Sequence, residues 1–292
     1  MNINLKNNKL LDKNFKQSLG RLYQSSFFQN QRLLNDFHTN IKDIEYWNWI
    51  IDLFDNFLIR KTEKIIVPKK IHQIWIGSKF PRKYQRWADS WKTKNPEFDY
   101  CLWDEKEILK LGLKNEKQYR CAKNFGIKSD IARYEILNRF GGVYLDTDFE
   151  CIKPLDTKFL TYDFVGCQLF SYAPQISNAM MIATKNNTIL NTLIDNLKEN
   201  KNINTSVDVL KYSGAVYLTN TIKEIKTKIS NSVLLPSQYF FPWPNFFRND
   251  KNIKKFFTNN SFGVHHWEVS WAKKSKFERI INLLKKNYEK IL

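Results

Sequence analysis

Apolar positions change their period near residue 68. Before it, from residue 1 to about 64, they recur at helical spacing without a strong breaker. In IEYWNWIIDLFDNFLIRK (44–61), Trp47, Ile51, Phe54 and Leu58 fall on one predicted helix face. After Pro68, short β-rich runs alternate with amphipathic helices. KKIHQIWIG (69–77) predicts a buried strand ending in Gly, and RKYQRWADSWKTKNP (82–96) a helix with Trp87 and Trp91 four apart. FDYCLWDE (98–105) predicts the next strand. Strand, helix, strand in so short a span is a βαβ unit with parallel strands.

The alternation continues in KSDIARYEILNRFGGVYLDTDF (128–149). Ser129 or Asp130 is the expected cap of a helix whose face carries Ala132, Ile136 and Phe140, and Gly141 stands where its C-cap belongs. Val143, Tyr144 and Leu145 then predict a short strand ending at Asp146. FVGCQLF (164–170) and SNAMMIAT (177–184) predict two further strands. NNTILNTLIDNLKEN (186–200) predicts a helix, and Gly214 interrupts another helical stretch. FFPWPNFF (240–247) reads as an aromatic lid or rim. SFGVHHWEVSW (261–271) is strand-like, and a basic amphipathic helix closes the chain.

Composition narrows the partners. The 292 residues carry 47 Lys and Arg against 29 Asp and Glu, a formal net charge of +18, so an anionic ligand is expected. The four cysteines, Cys101, Cys121, Cys151 and Cys167, form no CxxC pair, which argues against a zinc site or a disulfide framework. Neither a secretory leader nor a membrane-spanning run is legible. The expected location is cytoplasmic, with peripheral contact with an anionic membrane as a further expectation for the terminal helix.

The chemistry concentrates at the end of the 128–149 stretch. Extended backbone would aim Asp146 and Asp148 to the same side and Thr147 to the other. Two converging carboxylates keep their charge only beside a cation, and oxygen donors on an open site suit Mg²⁺ or Mn²⁺ facing a diphosphate. No GxGxxG and no GxxxxGK[ST] is present, so a dinucleotide fold and a P-loop are unsupported. Asp130 and Arg133, three apart, share a helix face, either as a surface ion pair or projecting into the same cleft. His265 and His266 are neighbours on a predicted strand, so one faces inward, as a metal ligand, a phosphate contact or a core histidine. Trp75 ends the first strand, either in the core or covering a base.

The string SDIARYEILNRFGGVYLDTD resembles the sugar-binding Asp-x-Asp region of glycosyltransferase family 32, and its spacing is similar to that of the large clostridial toxin glucosyltransferase domains. VPKKIHQIWIG (67–77), NPEFDYCLWDE, SNAMMIAT, SGAVYLT (213–219) and HHWEVSW (265–271) resemble further blocks of that family in order. The resemblance covers about residues 65–272. It implies a GT-A type α/β fold, a Rossmann-like nucleotide-sugar-binding domain at 65–272; the sequence pattern adds a helical N-terminal extension at 1–64 and a basic helix at 273–292 packed on the domain. The implied activity is retaining transfer of a sugar from a nucleotide-sugar donor, UDP-sugar favoured over GDP-sugar, with Mn²⁺ or Mg²⁺. The implied acceptor is a glycan or a lipid-linked molecule; a protein acceptor is the alternative.

By position in those blocks, Asp148 is the expected direct metal ligand, and Asp146 would contact the donor and the water shell of the metal. His265 or His266 would complete the metal site. Asp130 and Arg133 would hold sugar hydroxyls, Tyr144 would line the pocket, and Trp75 would stack on the base. Ser270 and Trp271 would close over the donor. Nucleic-acid binding is not expected, because the cations gather on a terminal helix rather than among aromatics on a strand face. A glycosidase is disfavoured too, since its two carboxylates flank a sugar instead of sharing one strand end.

Overall fold

The computed structural model describes residues 41–61, 64–170, 173–199 and 203–268. Helix α1 (Ile41–Ile59) precedes β1 (Lys70–Ile74), α2 (Arg82–Lys94), β2 (Asp99–Trp103) and the short helices α3 (Glu105–Lys110) and α4 (Glu116–Cys121). Next come α5 (Phe125–Phe140), β3 (Gly142–Leu145), β4 (Phe149–Cys151), β5 (Phe164–Phe170), β6 (Ala173–Ala183) and α6 (Thr188–Asn196). The last described elements are α7 (Ser206–Tyr212), α8 (Ala215–Ile225), β7 (Ser232–Leu235) and β8 (Gly263–His265).

A six-stranded sheet in the order β2-β1-β3-β6-β5-β7 forms the centre. Strands β2, β1 and β3 run parallel, as the βαβ reading predicted, while β6 is antiparallel to both β3 and β5. Helix α5 packs against β1, β3 and β6, α8 lies on β6, and α1 covers β7. This is the α/β architecture with a central sheet that the sequence implied. A second, two-stranded sheet pairs β4 with β8.

Three local expectations change. On α1 Tyr46, Ile50, Ile51, Phe54 and Phe57 are buried, so the expected Ile51 and Phe54 face inward, whereas Leu58 is 43% exposed and the Trp47 side chain lies outside those described. Phe57 turns inward because its ring stacks on Phe159 at 5.9 Å, which rotates Leu58 to the surface. Helix α5 begins about one and a half turns earlier than expected: Asn124 accepts a hydrogen bond from the Gly126 amide (2.7 Å), leaving Ser129 and Asp130 inside the helix. The 240–247 stretch is less a rim than part of the core, with Phe240, Phe241 and Trp243 buried. Most of residues 1–64 and all of the 273–292 helix lie outside the described residues. Among the described residues, no helix is long and apolar enough to cross a membrane.

Two glycines join α5 to β3. Gly141 (φ +63°) caps the helix, and a Cβ there would stand 2.8 Å from Pro68. Gly142 (φ +114°) lies so close to β1 that a Cβ would stand 2.6 Å from the Lys70 carbonyl oxygen. The turn therefore delivers β3 tightly against β1, which fixes where β3 ends.

His72 locks the same corner. Its Nδ1 accepts from the Trp103 indole N–H (3.1 Å), a group that can only donate, so its Nε2 carries the proton and donates to the Gly141 carbonyl (2.9 Å). Burial lowers its pKa to about 4 from 6.5. Between those values the unfolded chain binds a proton that the folded chain refuses, so stability falls as the pH drops through that window. The full loss is about 3 kcal/mol. Imidazole NMR of the folded chain is expected to show His72 neutral at pH 5.5; a midpoint near 6.5 would contradict the assignment.

Candidate metal and sugar-binding site

The site grows from the carboxyl end of β3. The Asp146 amide donates to the Ala179 carbonyl (2.9 Å), and the Asp146 carbonyl accepts from the Gln73 side-chain amide (3.0 Å) and the Phe149 amide (3.1 Å). Residues 146–149 therefore form a tight turn, not the extended backbone expected from the sequence. The two aspartates converge because the turn folds them together and because β4 then pairs with β8. In that pairing Phe149 opposes His265, which brings the imidazole Nε2 to 3.1 Å from Asp148 Oδ1. Asp146, Asp148 and His265 each offer a ligand atom, and these atoms lie within 4.8 Å of one another.

The neighbouring histidine goes elsewhere. His266 Nε2 lies 2.8 Å from Glu150 Oε2, and its ring stacks on Trp87 at 4.3 Å. Strand alternation separates the pair, as expected, and the structure joins His265 rather than His266 to the aspartates. His265 Nδ1 is buried without a hydrogen-bond partner among the described residues.

Arg133 is the cation that this arrangement already contains. Its guanidinium lies 3.1 Å from Asp130 Oδ1 and 3.0 Å from Asp146 Oδ1, donates to the Asn178 carbonyl (2.9 Å), and sits 4.7 Å above the Tyr144 ring centre. Tyr144 donates its hydroxyl to Asp146 Oδ1 (2.8 Å). Asp130 further accepts from the Asn178 side-chain amide and the Ser213 hydroxyl, each at 2.8 Å. The surface version of the Asp130–Arg133 pair is thereby excluded, since both side chains are buried.

The carboxylates are driven apart in acidity. Burial pushes Asp130 up to about 6 against the pull of Arg133 and Ser213. Asp146 is also raised, by burial first and by the Asp148 charge, although Arg133 opposes both. Asp148 is lowered: burial works against ionisation there, but His265 and the Glu268 amide outweigh it. The Asp146 side chain is 28% exposed while that of Asp148 is 7% exposed, so a ligand reaches the cluster from the Asp146 side.

A divalent cation fits this donor set. Two carboxylates and one imidazole, squeezed together where burial and mutual repulsion oppose their charge, would gain a shared counter-ion and leave positions for water or phosphate. Trp75 stands beyond β1 at the same sheet edge, half-buried, with its indole N–H donated to Ser78 Oγ (3.1 Å) and its ring 4.8 Å from that of Tyr84. Ser270 and Trp271 lie outside the described residues. Sequence reasoning missed Gln73, Asn178 and Ser213 as supports of the aspartates. Their only signal was membership of the blocks HQIW, SNAMM and SGAVY, which carries no hint of which side chain they touch.

Residues 81–165 match the family model described as the glycosyltransferase sugar-binding region containing the DXD motif. The matched stretch holds Asp130, Arg133, Tyr144, Asp146 and Asp148. Among curated proteins, the chain is 26% identical over 186 residues to subversion of eukaryotic traffic protein A of Legionella pneumophila, covering 54% of this chain and 29% of that protein. It is 30% identical over 139 residues to inositol phosphoceramide mannosyltransferase 1 of Schizosaccharomyces pombe, covering 45% of this chain and 43% of the relative. It is 28% identical over 226 residues to the uncharacterized glycosyltransferase L373 of Acanthamoeba polyphaga mimivirus, covering 74% and 88%. The chain thus spans less than half the length of the first two. The matches put residues 81–165 in the class of DXD-containing glycosyltransferase sugar-binding regions, in keeping with the resemblance to family 32.

Arg133→Met is expected to destabilise the chain by about 3 to 5 kcal/mol, because it leaves Asp130 buried, and Asp146 part-buried, without their cation. Urea unfolding at pH 7 measures this; a loss under about 1 kcal/mol would mean that the carboxylates do not depend on Arg133.

Proposed function

We propose that the chain is a hexosyltransferase that moves a sugar, with retention at the anomeric carbon, from a nucleotide-sugar donor to a glycan or lipid-linked acceptor. A UDP-sugar is favoured over a GDP-sugar, and Mn²⁺ or Mg²⁺ is the cofactor. The observation that carries this reading is the convergence of Asp146, Asp148 and His265 at the carboxyl edge of a parallel β1–β3 pair, beside a buried Asp130–Arg133 pair. Open α/β sheets bind their ligands at that edge.

Asp148, Asp146 and His265 would hold the ion, which when bound supplies Lewis-acid stabilisation of the charge on the departing diphosphate. The remaining roles belong to the chain. Arg133 neutralises Asp146 and orients its carboxylate, and with Asp130 offers charged partners to sugar hydroxyls. Donor binding would then exchange part of the Asn178 and Ser213 bonding for substrate bonding. Tyr144 holds the Asp146 carboxylate from below. Trp75 presents an indole that can cover a base. No side chain in the cluster is arranged as a nucleophile paired with a base, which suits attack on the same face as the leaving group.

For the acceptor, likeness to an inositol phosphoceramide mannosyltransferase favours a lipid-linked molecule. Likeness to a protein named for the subversion of eukaryotic traffic favours the second reading, a protein acceptor modified by an effector.

Donor hydrolysis across UDP- and GDP-sugars tests the proposal. Nucleotide release is expected with Mn²⁺, is expected to stop with EDTA, and should fall on the order of 100-fold in Asp148→Ala. Release that persists in EDTA and in the variant would overturn the metal-dependent reading.

A further inference from the structure

The segment that follows β8 does more than supply His265. Because Phe149 opposes His265, a continued ladder would set His266 against Asp148 and carry Glu268 past it toward Asp146. The first half of that expectation holds, since the His266 amide donates to the Asp148 carbonyl (2.9 Å). The second half fails. The Glu268 amide donates instead to the Asp148 carboxylate, 2.8 Å from Oδ2. Both amides thus serve one residue, and the residue between them is Trp267.

Trp267 has φ +57°, a left-handed conformation in which a bulky side chain is strained. Such a conformation persists only where its surroundings hold it. Its indole N–H donates to the Trp243 carbonyl (2.7 Å), and its ring packs against Phe241 at 5.9 Å. The same ring meets the His265 imidazole at 4.5 Å, nearly perpendicular, at 83°. One side chain therefore bends the strand back onto Asp148 and braces the imidazole that faces it.

We propose that Trp267 is a positioning residue of the metal site: its anchored indole holds the left-handed turn that fixes Asp148 and His265 in ligand geometry. The consequence for Asp148 is specific. Oδ2 is engaged by the Glu268 amide, so the carboxylate presents Oδ1, the atom 3.1 Å from His265 Nε2, to the cluster. The Lys83–Glu268 ion pair (2.7 Å) ties the far side of the turn to α2. The inference rests on the metal-dependent reading above but adds a residue outside the 81–165 family match.

The test uses Mn²⁺ alone, without donor, and reads free Mn²⁺ by electron paramagnetic resonance in titrations of the full chain. Trp267→Phe keeps a ring but loses the indole N–H. Trp267→Gly accepts the positive φ but loses the brace. Both, checked as folded by circular dichroism, are expected to bind Mn²⁺ about tenfold or more weakly, in the range typical of lost outer supports of a metal site. Asp148→Asn is expected to lose binding. A purely structural role would lower the Tm of the variants and leave the Mn²⁺ affinity of the folded chain unchanged. If either folded variant binds within about twofold of the native chain while Asp148→Asn does not bind, the positioning role is overturned and the metal site stands. If the native chain itself binds no Mn²⁺, the metal site and this inference fall together.

Discussion

Burying like charges at one sheet edge is the constraint on which the rest of the molecule depends. Asp130 and Asp148 are buried and Asp146 is part-buried there, and Asp130 and Asp146 are held by a single guanidinium. An uncompensated buried carboxylate is costly, so Arg133 has to be where it is. That requirement reaches outward. Arg133 sits on α5, α5 must end at Gly141 and Gly142 for β3 to lie against β1, and β3 must stop at Leu145 for Asp146 to reach the guanidinium. The neutral His72 between Trp103 and the Gly141 carbonyl secures the turn from the other side.

The opposite shifts of Asp146 and Asp148 follow from who stands beside each. Asp146 shares its cation with Asp130, and desolvation together with the Asp148 charge raises its proton affinity. Asp148 is hydrogen-bonded to the His265 imidazole and to the Glu268 amide, and its charge is favoured. Asp148, the more buried of the two, presents Oδ1 to the cluster, while Asp146 lies on its open side. Geometry of this kind suits a site that takes an ion and a diphosphate together.

The fold was legible in the sequence wherever a single period ruled. The run from β1 through α2 to β2 reads correctly because Trp87 and Trp91 mark a helix face and the flanking runs are β-rich. The aspartates were legible as a site but not as a conformation: Asp-x-Asp after an apolar run reads as extended, whereas the Gln73 and Phe149 contacts to the Asp146 carbonyl make it a turn. Gln73 is remote in sequence and the Phe149 amide closes a turn that residue types do not announce, so periodicity is blind to both. The start of α5 was misplaced because Ser129 and Asp130 are good caps by type, while Asn124 is the one whose side chain reaches an orphan amide. The choice between His265 and His266 needed the β4–β8 register, and Trp267 needed a backbone angle; neither is written in residue types.

Under the proposed function, Asp146, Asp148 and His265 hold one divalent ion. Crystals grown with Mn²⁺ and UDP, measured at the manganese absorption edge, test it most directly. One strong anomalous peak is expected beside Asp146, Asp148 and His265, with the diphosphate next to it. A peak elsewhere on the chain, or a bound nucleotide whose diphosphate is held by lysines and arginines with no ion beside the aspartates, would contradict it.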